Sequence, residues 1–297
     1  MPTSGVVTRS EGAVFWVDVG GREITCVLRG RLKRDSRRVT SLVVVGDLVD
    51  VELLPDGTGA IKQRLNRQTE LVRPGFRQRE HLTAANLDLV VIVQSAREPP
   101  FDRHIIERYL VTARRGGMTA VVVVNKCDLE DEGVLLDEVR PLVAKGVYVI
   151  LASAARGGGL DELRALLAGR VSGLVGKSGV GKSSLLNALY PDFAARVSDV
   201  SDWSGKGRHT TTASRLYPIP EGGYIADTPG MRQVGIFDDS EADVESVFGE
   251  ITALASRCRF RDCTHTHEPK CAVKEAVERG DIDPDRYQHY LRLRRRT

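Results

Sequence analysis

Gly176, Lys177, Ser178, Gly179, Val180, Gly181, Lys182 and Ser183 spell G-x-x-x-x-G-K-[ST] in full. The chemistry open to that string is phosphate binding. Its glycines let the backbone wrap an anion with amide N–H groups pointing inward, and a helix starting at Lys182 adds the positive end of its dipole. Lys182 is placed to reach the β- and γ-phosphates of a nucleotide and Ser183 to coordinate Mg2+, with Ser184 beside them in the same turn. A Gly-rich turn can match this pattern by chance. Here an aliphatic run, Val171–Val175, precedes the loop and a helical stretch, Lys182–Leu189, follows it, which is the context the chemistry requires.

Two further strings extend the site. Asp227-Thr228-Pro229-Gly230 ends a strand. An Asp there can hold Mg2+ through water, and the Gly230 N–H can meet a γ-phosphate. Asn125-Lys126-Cys127-Asp128 directly follows the strand Thr119–Val124. The Asp128 carboxylate can accept two N–H bonds from guanine, a donor pair that adenine lacks, so the string favours GTP over ATP. N-K-x-D resembles the guanine-specificity motif of the translation-factor and Ras-like GTPases. Ala152-Ser153-Ala154, after the next strand, resembles the last guanine-contacting loop of those proteins and places Ser153 and Ala154 at the base. Each string alone is also a plausible surface turn; together they are specific. Their order is unusual, because N-K-x-D and S-A precede the phosphate loop. The same sheet survives if the old termini are joined and the chain is reopened elsewhere, so the expected GTPase domain is circularly permuted, with its switch elements leading toward the C-terminus.

A second chemistry lies further on. Cys258, Cys263, His265 and Cys271 offer three thiolates and one imidazole, a set that suits a closed tetrahedral zinc site. His267 is an alternative fourth ligand, and the spacing is not a common zinc-finger spacing. With all positions filled by protein, one zinc there is structural and drives the folding of a small module. Cys26 and Cys127 lie in or beside strands and read as small buried residues.

The elements that must position these groups follow from periodicity. Ala13–Val19, Glu23–Leu28, Asp47–Leu54 and Thr58–Arg64 are short β-rich segments with turn signals between them, so residues 1–67 read as a small barrel of OB-fold or SH3-like type. From about residue 85, strands alternate with helices: Leu87–Gln94, Phe101–Arg115, Thr119–Val124, Glu132–Ala144, Val147–Leu151, Leu160–Leu167, Val171–Val175, Lys182–Leu189 and Tyr224–Ala226. Unbroken aliphatic strands between helices predict a mostly parallel sheet covered on both faces, an α/β P-loop domain over residues 68–232. An acidic helical segment, Asp239–Ala255, then leads into the Cys/His cluster and an Arg-rich helical tail, a mainly helical module over residues 233–297.

Composition sets the class. The chain has 297 residues, 41% apolar and 28% charged, with a net charge of only +3. That is ordinary for a soluble globular protein. The charge is clustered: seven Lys/Arg against two acidic residues between Arg22 and Arg38, six against one between Lys62 and Arg79, and Arg292, Arg294, Arg295 and Arg296 at the end. Any one cluster reads as a solvated loop, but three outside the catalytic strings suit a phosphate backbone and point to a nucleic-acid partner. No apolar run approaches the ~20 residues of a membrane span. No secretory signal is visible, so a cytoplasmic protein with reduced cysteines is expected.

A barrel, a permuted GTPase and a Cys/Cys/His/Cys module, in that order, resemble the RsgA (YjeQ) family of bacterial small-ribosomal-subunit biogenesis GTPases over nearly the whole chain. Gly205 to Thr212 looks like that family's switch I segment. The resemblance implies an N-terminal OB-fold contacting rRNA, zinc on Cys258, Cys263, His265 and Cys271, late-stage maturation of the small subunit by a monomeric protein, and release on hydrolysis of GTP to GDP. Ras-like GTPases orient the attacking water with a Gln just after D-x-x-G, a position held here by Met231. His209, in the switch I-like segment, is the candidate to polarise the water in its place, with a solvated or rRNA-touching loop residue as the alternative. Thr211 and Thr212, with Thr210, offer a hydroxyl for Mg2+. Two other classes compete: a metabolic P-loop kinase, against which Asp128 and D-T-P-G argue, and an RNA-binding module whose nucleotide is only structural.

Overall fold

The computed structural model describes residues 3–29, 42–74, 80–191, 193, 214–227 and 247–294. Its first five strands are β1 (Thr3–Glu11), β2 (Val14–Val19), β3 (Arg22–Leu28), β4 (Leu48–Leu53) and β5 (Gly59–Arg64). They pair in the order β1-β2-β3-β5-β4, and β4 returns to β1, closing a barrel with parallel β3–β5 pairing. This is the OB-type barrel rather than the SH3-like one. Alternation does the work: Val7, Val17, Ile24, Cys26, Val49, Val51 and Ile61 point inward and form the barrel's own core. Cys26 is buried as expected, and burial pushes its thiol up to about 11.

β1 was not anticipated by its sequence. It carries a register shift between Val7 and Arg9, and beyond that bulge it pairs with a strand of the GTPase domain, Arg9 opposite Arg215 and Ser10 opposite Ser214. A bulge bends a strand and lets its two halves serve different neighbours. The barrel is therefore continuous with the larger sheet. A bidentate ion pair fastens the barrel to the chain that leaves it: Arg67 Nε and Nη2 meet Asp47 at 2.7 and 2.9 Å, with both side chains buried. A hairpin, β6 (Glu70–Pro74) and β7 (Glu80–Ala85), follows.

The GTPase sheet is built from β8 (Leu89–Ser95), β9 (Thr119–Asn125), β10 (Tyr148–Leu151), β11 (Arg170–Val175), β12 (Ser214–Pro218) and β13 (Gly223–Asp227). Its order is β10-β9-β8-β11-β13-β12, parallel throughout except for β12. Every residue of β8 is buried, as a central strand covered on both faces must be. Helices α1 (Arg103–Arg115) and α2 (Glu132–Val143) cover one face through Ile106, Tyr109, Leu135 and Val139. Helices α3 (Leu160–Leu167) and α4 (Lys182–Leu189) cover the other through Leu163, Leu167, Leu185 and Leu189. The C-terminal region adds α5 (Gly249–Ala255), α6 (Ala272–Glu278) and α7 (Pro284–Arg294), with a core that includes Phe248, Ile251, Tyr290, Cys263 and Cys271 and that takes in Val111 of α1. Of the acidic segment 239–255, residues before 247 lie outside the described residues. Among the described residues no helix is long and apolar enough to cross a membrane.

Candidate functional site

Three of the four strings, and the first residue of the fourth, sit at carboxyl ends of parallel strands. The S-A loop follows β10, N-K-x-D follows β9, the phosphate loop follows β11, and Asp227 ends β13. That is the crevice in which open α/β sheets bind ligands. The phosphate loop needs its glycines: Gly176, Gly179 and Gly181 have φ of 145°, 85° and 91°. A Cβ on Gly176 would lie 2.3 Å from Val93 O, and one on Gly181 would lie 2.2 Å from Asn125 Nδ2.

Asn125 joins three of the strings. It is 1% exposed. Its Nδ2 donates to Val180 O in the phosphate loop at 3.0 Å, and its Oδ1 accepts from the Ala154 N–H in the S-A loop at 3.1 Å. The carboxamide is thus spent on the protein. Asp128 is exposed, and its Oδ1 accepts from the buried Ser153 hydroxyl at 2.5 Å. Ser153 in turn accepts from the Arg156 N–H, so the carboxylate is aimed by a chain of hydrogen bonds. Lys126 stands at φ 60° and donates to Glu98 O. Cys127 is partly buried; burial first, and then the Asp128 charge, push its thiol up. Lys182 Nζ donates to Gly176 O and Lys177 O at 2.7 and 2.8 Å, which holds its ammonium over the loop. Ser183 and Ser184 are exposed on the first turn of α4. His209, Thr210, Thr211, Thr212, Gly230 and Met231 lie outside the described residues.

The Cys/His cluster is brought together. The donor atoms of Cys258, Cys263, His265 and Cys271 all lie within 4.8 Å of one another. His265 Nδ1 is 3.6 Å from Cys258 Sγ and 3.4 Å from Cys271 Sγ, and the two sulfurs are 3.9 Å apart. A tetrahedral ion with metal–sulfur and metal–nitrogen bonds of zinc length has edges of about 3.5–3.8 Å, so the donor set and spacing fit such an ion. Burial pushes the Cys263 thiol up to about 12, so a metal must displace its proton on binding. His265 rather than His267 faces the cluster. It is 2% exposed, stands at φ 59°, and its carbonyl accepts from the Tyr287 hydroxyl. His267 is exposed and meets Thr266 instead.

A family model described as RsgA GTPase matches residues 64–237. The chain belongs to the RsgA GTPase family. It is 43% identical to the small ribosomal subunit biogenesis GTPase RsgA of Gemmatimonas aurantiaca, covering 98% of this chain and 96% of that one. It is 40% identical to the protein of the same name from Moorella thermoacetica, covering 97% and 94%. Among solved structures, YjeQ from Thermotoga maritima matches with a TM-score of 0.77 at 34% identity, covering 99% of this chain and 97% of that one. YloQ, described as a circularly permuted GTPase, matches with a TM-score of 0.73 at 28% identity, covering 99% and 94%. The order of strings along the chain, N-K-x-D before the phosphate loop, agrees: in this RsgA-family member the GTPase domain is permuted.

Sequence reasoning missed three parts of this RsgA-family architecture. One is Glu268, whose carboxylate ties the metal loop together by accepting from the Thr264 hydroxyl at 2.5 Å and from the N–H groups of Thr264, Thr266 and His267 at 2.8, 3.0 and 3.2 Å. The Thr264 hydroxyl above all, then these amides, hold its carboxyl well below the usual range. The second is the seat of the metal module on α1. Glu107, 2% exposed, receives Arg286 Nη1 at 2.5 Å and His289 Nδ1 at 2.7 Å. Arg286 also meets Glu250 at 2.6 Å and stacks over the Phe248 ring at 3.9 Å. The third is Tyr224 on β13, whose hydroxyl donates to Asp18 of the barrel at 2.6 Å. A Glu in an amphipathic helix and an Asp near the end of a strand carry no sequence signal of such pairing.

Proposed function

We propose that this chain binds the small ribosomal subunit through rRNA, assists its late maturation, and hydrolyses GTP to GDP and phosphate there to trigger its own release. The observation that carries the nucleotide half is Asn125, which gathers the guanine-type string, the S-A loop and the phosphate loop into one crevice. The relatives' name, small ribosomal subunit biogenesis GTPase, supports the ribosomal half.

In this reading Asp128 accepts the guanine N–H pair, with Lys126, Cys127, Ser153 and Ala154 lining the base. Gly176 through Lys182 wrap the phosphates, Lys182 neutralises their developing charge, and Ser184 closes the loop. Ser183, a switch threonine (Thr210, Thr211 or Thr212) and Asp227 would hold Mg2+, which would offset the negative charge of the phosphates. Gly230 offers its N–H to the γ-phosphate, and His209 polarises the attacking water. Cys258, Cys263, His265 and Cys271 hold one structural zinc. The functional division is 1–67 for rRNA, 68–232 for GTP and 233–297 for the metal module, in a monomeric, cytoplasmic protein.

His209→Ala tests the catalytic assignment. Single-turnover hydrolysis on saturating small subunits should fall by about a hundredfold or more, while GTP binding and subunit docking persist. A rate within a few-fold of wild type would leave His209 without that role.

A further inference from the structure

Two contacts of α1 lie unusually close together. Asp102 caps its first turn by accepting from the Ile105 N–H, and its other carboxylate oxygen meets Lys177 Nζ of the phosphate loop at 2.9 Å. Burial opposes ionisation of Asp102, but the Lys177 and Ile105 hydrogen bonds outweigh it and hold the carboxyl low. Five residues on, about 7.5 Å along the helix axis, Glu107 carries the buried contacts of the C-terminal module. Between them Arg103 meets Asp283 at 3.4 Å, and the His104 ring lies against the His289 ring at 4.9 Å. One rigid helical segment therefore touches the phosphate loop on one side and α7 on the other.

We propose that the first two turns of α1 couple occupancy of the phosphate loop to the seating of the metal module, with Asp102 as the positioning residue between them. This rests on the reading that the loop binds a guanine nucleotide. Phosphates held by the backbone of residues 176–183 restrict the loop, and with it Lys177 and its partner. A helix moves as a body, so what restricts Asp102 also restricts Glu107 and the groups it holds. Such linkage is reciprocal: seating the module should also tighten nucleotide binding. As an isolated, partly exposed pair, Lys177–Asp102 would contribute little to stability. Its significance is its position.

Asp102→Asn is a clean probe, because Asn caps a helix as well as Asp does but removes the negative charge that faces Lys177. Asp283→Asn does the same at the α7 end, where Asp283 caps by accepting from the Asp285 N–H. Amide hydrogen exchange across α7 would be followed in the full, metal-loaded chain with and without GDP, and GDP binding measured in parallel by fluorescence competition. In the wild type, GDP should slow α7 exchange by about fivefold or more. In both variants GDP should still bind and the slowing should shrink to less than about twofold. Equal slowing in wild type and Asp102→Asn, or no slowing in the wild type with GDP bound, would overturn the coupling. No GDP binding by the wild type would overturn the nucleotide reading itself, and the coupling with it.

Discussion

Asn125 has both ends of its carboxamide engaged by protein, on Val180 O and the Ala154 N–H, and Ser153 aims Asp128 in the same way. The Cys/His cluster is different. Cys258, His265 and Cys271 have each other as neighbours at 3.4–3.9 Å, and Cys263 is buried in an environment that disfavours its thiolate. The crevice is held together by hydrogen bonds within the protein itself. The cluster brings together four converging donors that could hold one cation. In the proposed function, one region is a ligand site on a scaffold already in place, and the other is a scaffold that its ligand completes.

The largest expected effect separates the two regions outright. Stripping the metal with a chelator, or Cys271→Ser, should unfold the module, since structural zinc contributes about 10–16 kcal/mol in peptides of this kind. Amide protection across α6 and α7 should vanish while GDP still binds, more weakly by the reciprocal linkage. A module that keeps its protection without metal would erase the contrast. Asn125→Ala comes next. It leaves the buried Val180 carbonyl and the partly buried Ala154 N–H without their partner, the buried group costing about 1–3 kcal/mol and the other less. Thermal denaturation should register that loss in the GTPase domain, with weakened nucleotide binding and an intact metal module.

Asp128→Asn should act on recognition alone. Losing a charged hydrogen-bond partner costs about 1.5–3 kcal/mol, so GTP affinity should fall about 10- to 150-fold at unchanged stability. Xanthine nucleotide should bind better, because its C2 oxygen accepts from the new amide. Unchanged GTP affinity would remove Asp128 from the base site. The smallest effect belongs to the barrel. Tyr224→Phe deletes its bond to Asp18 and should cost about 1 kcal/mol, read by denaturant unfolding. No change would leave the β1–β12 pairing as the main attachment.

Much of the crevice was legible, because a glycine at a loop or an Asp at a strand end is required by local geometry. Strand β9 and helix α3 fell where periodicity put them, and Gly176, Gly179 and Gly181 need their positive φ. Strand β1 was not legible. Val6 and Val7 are flanked by Thr, Arg and Ser, and its partner β12 lies some two hundred residues away. The short β12, ending in Pro218, was missed for the same reason: its pairing is tertiary. Cysteine spacing announced the metal cluster, but not which histidine turns inward, since that depends on the positive φ of His265 and the anchoring of its carbonyl by Tyr287. The buried Arg286–Glu107–His289 group has no local signature, because its members come from helices far apart in the chain.

The central claim is tested most directly by GTP hydrolysis with and without purified small ribosomal subunits, with ATP run alongside. The account predicts slow hydrolysis by the free protein, a rise of about a hundredfold or more on adding subunits, and no comparable turnover of ATP. Equal rates with and without subunits, or ATP turned over as readily as GTP, would contradict it.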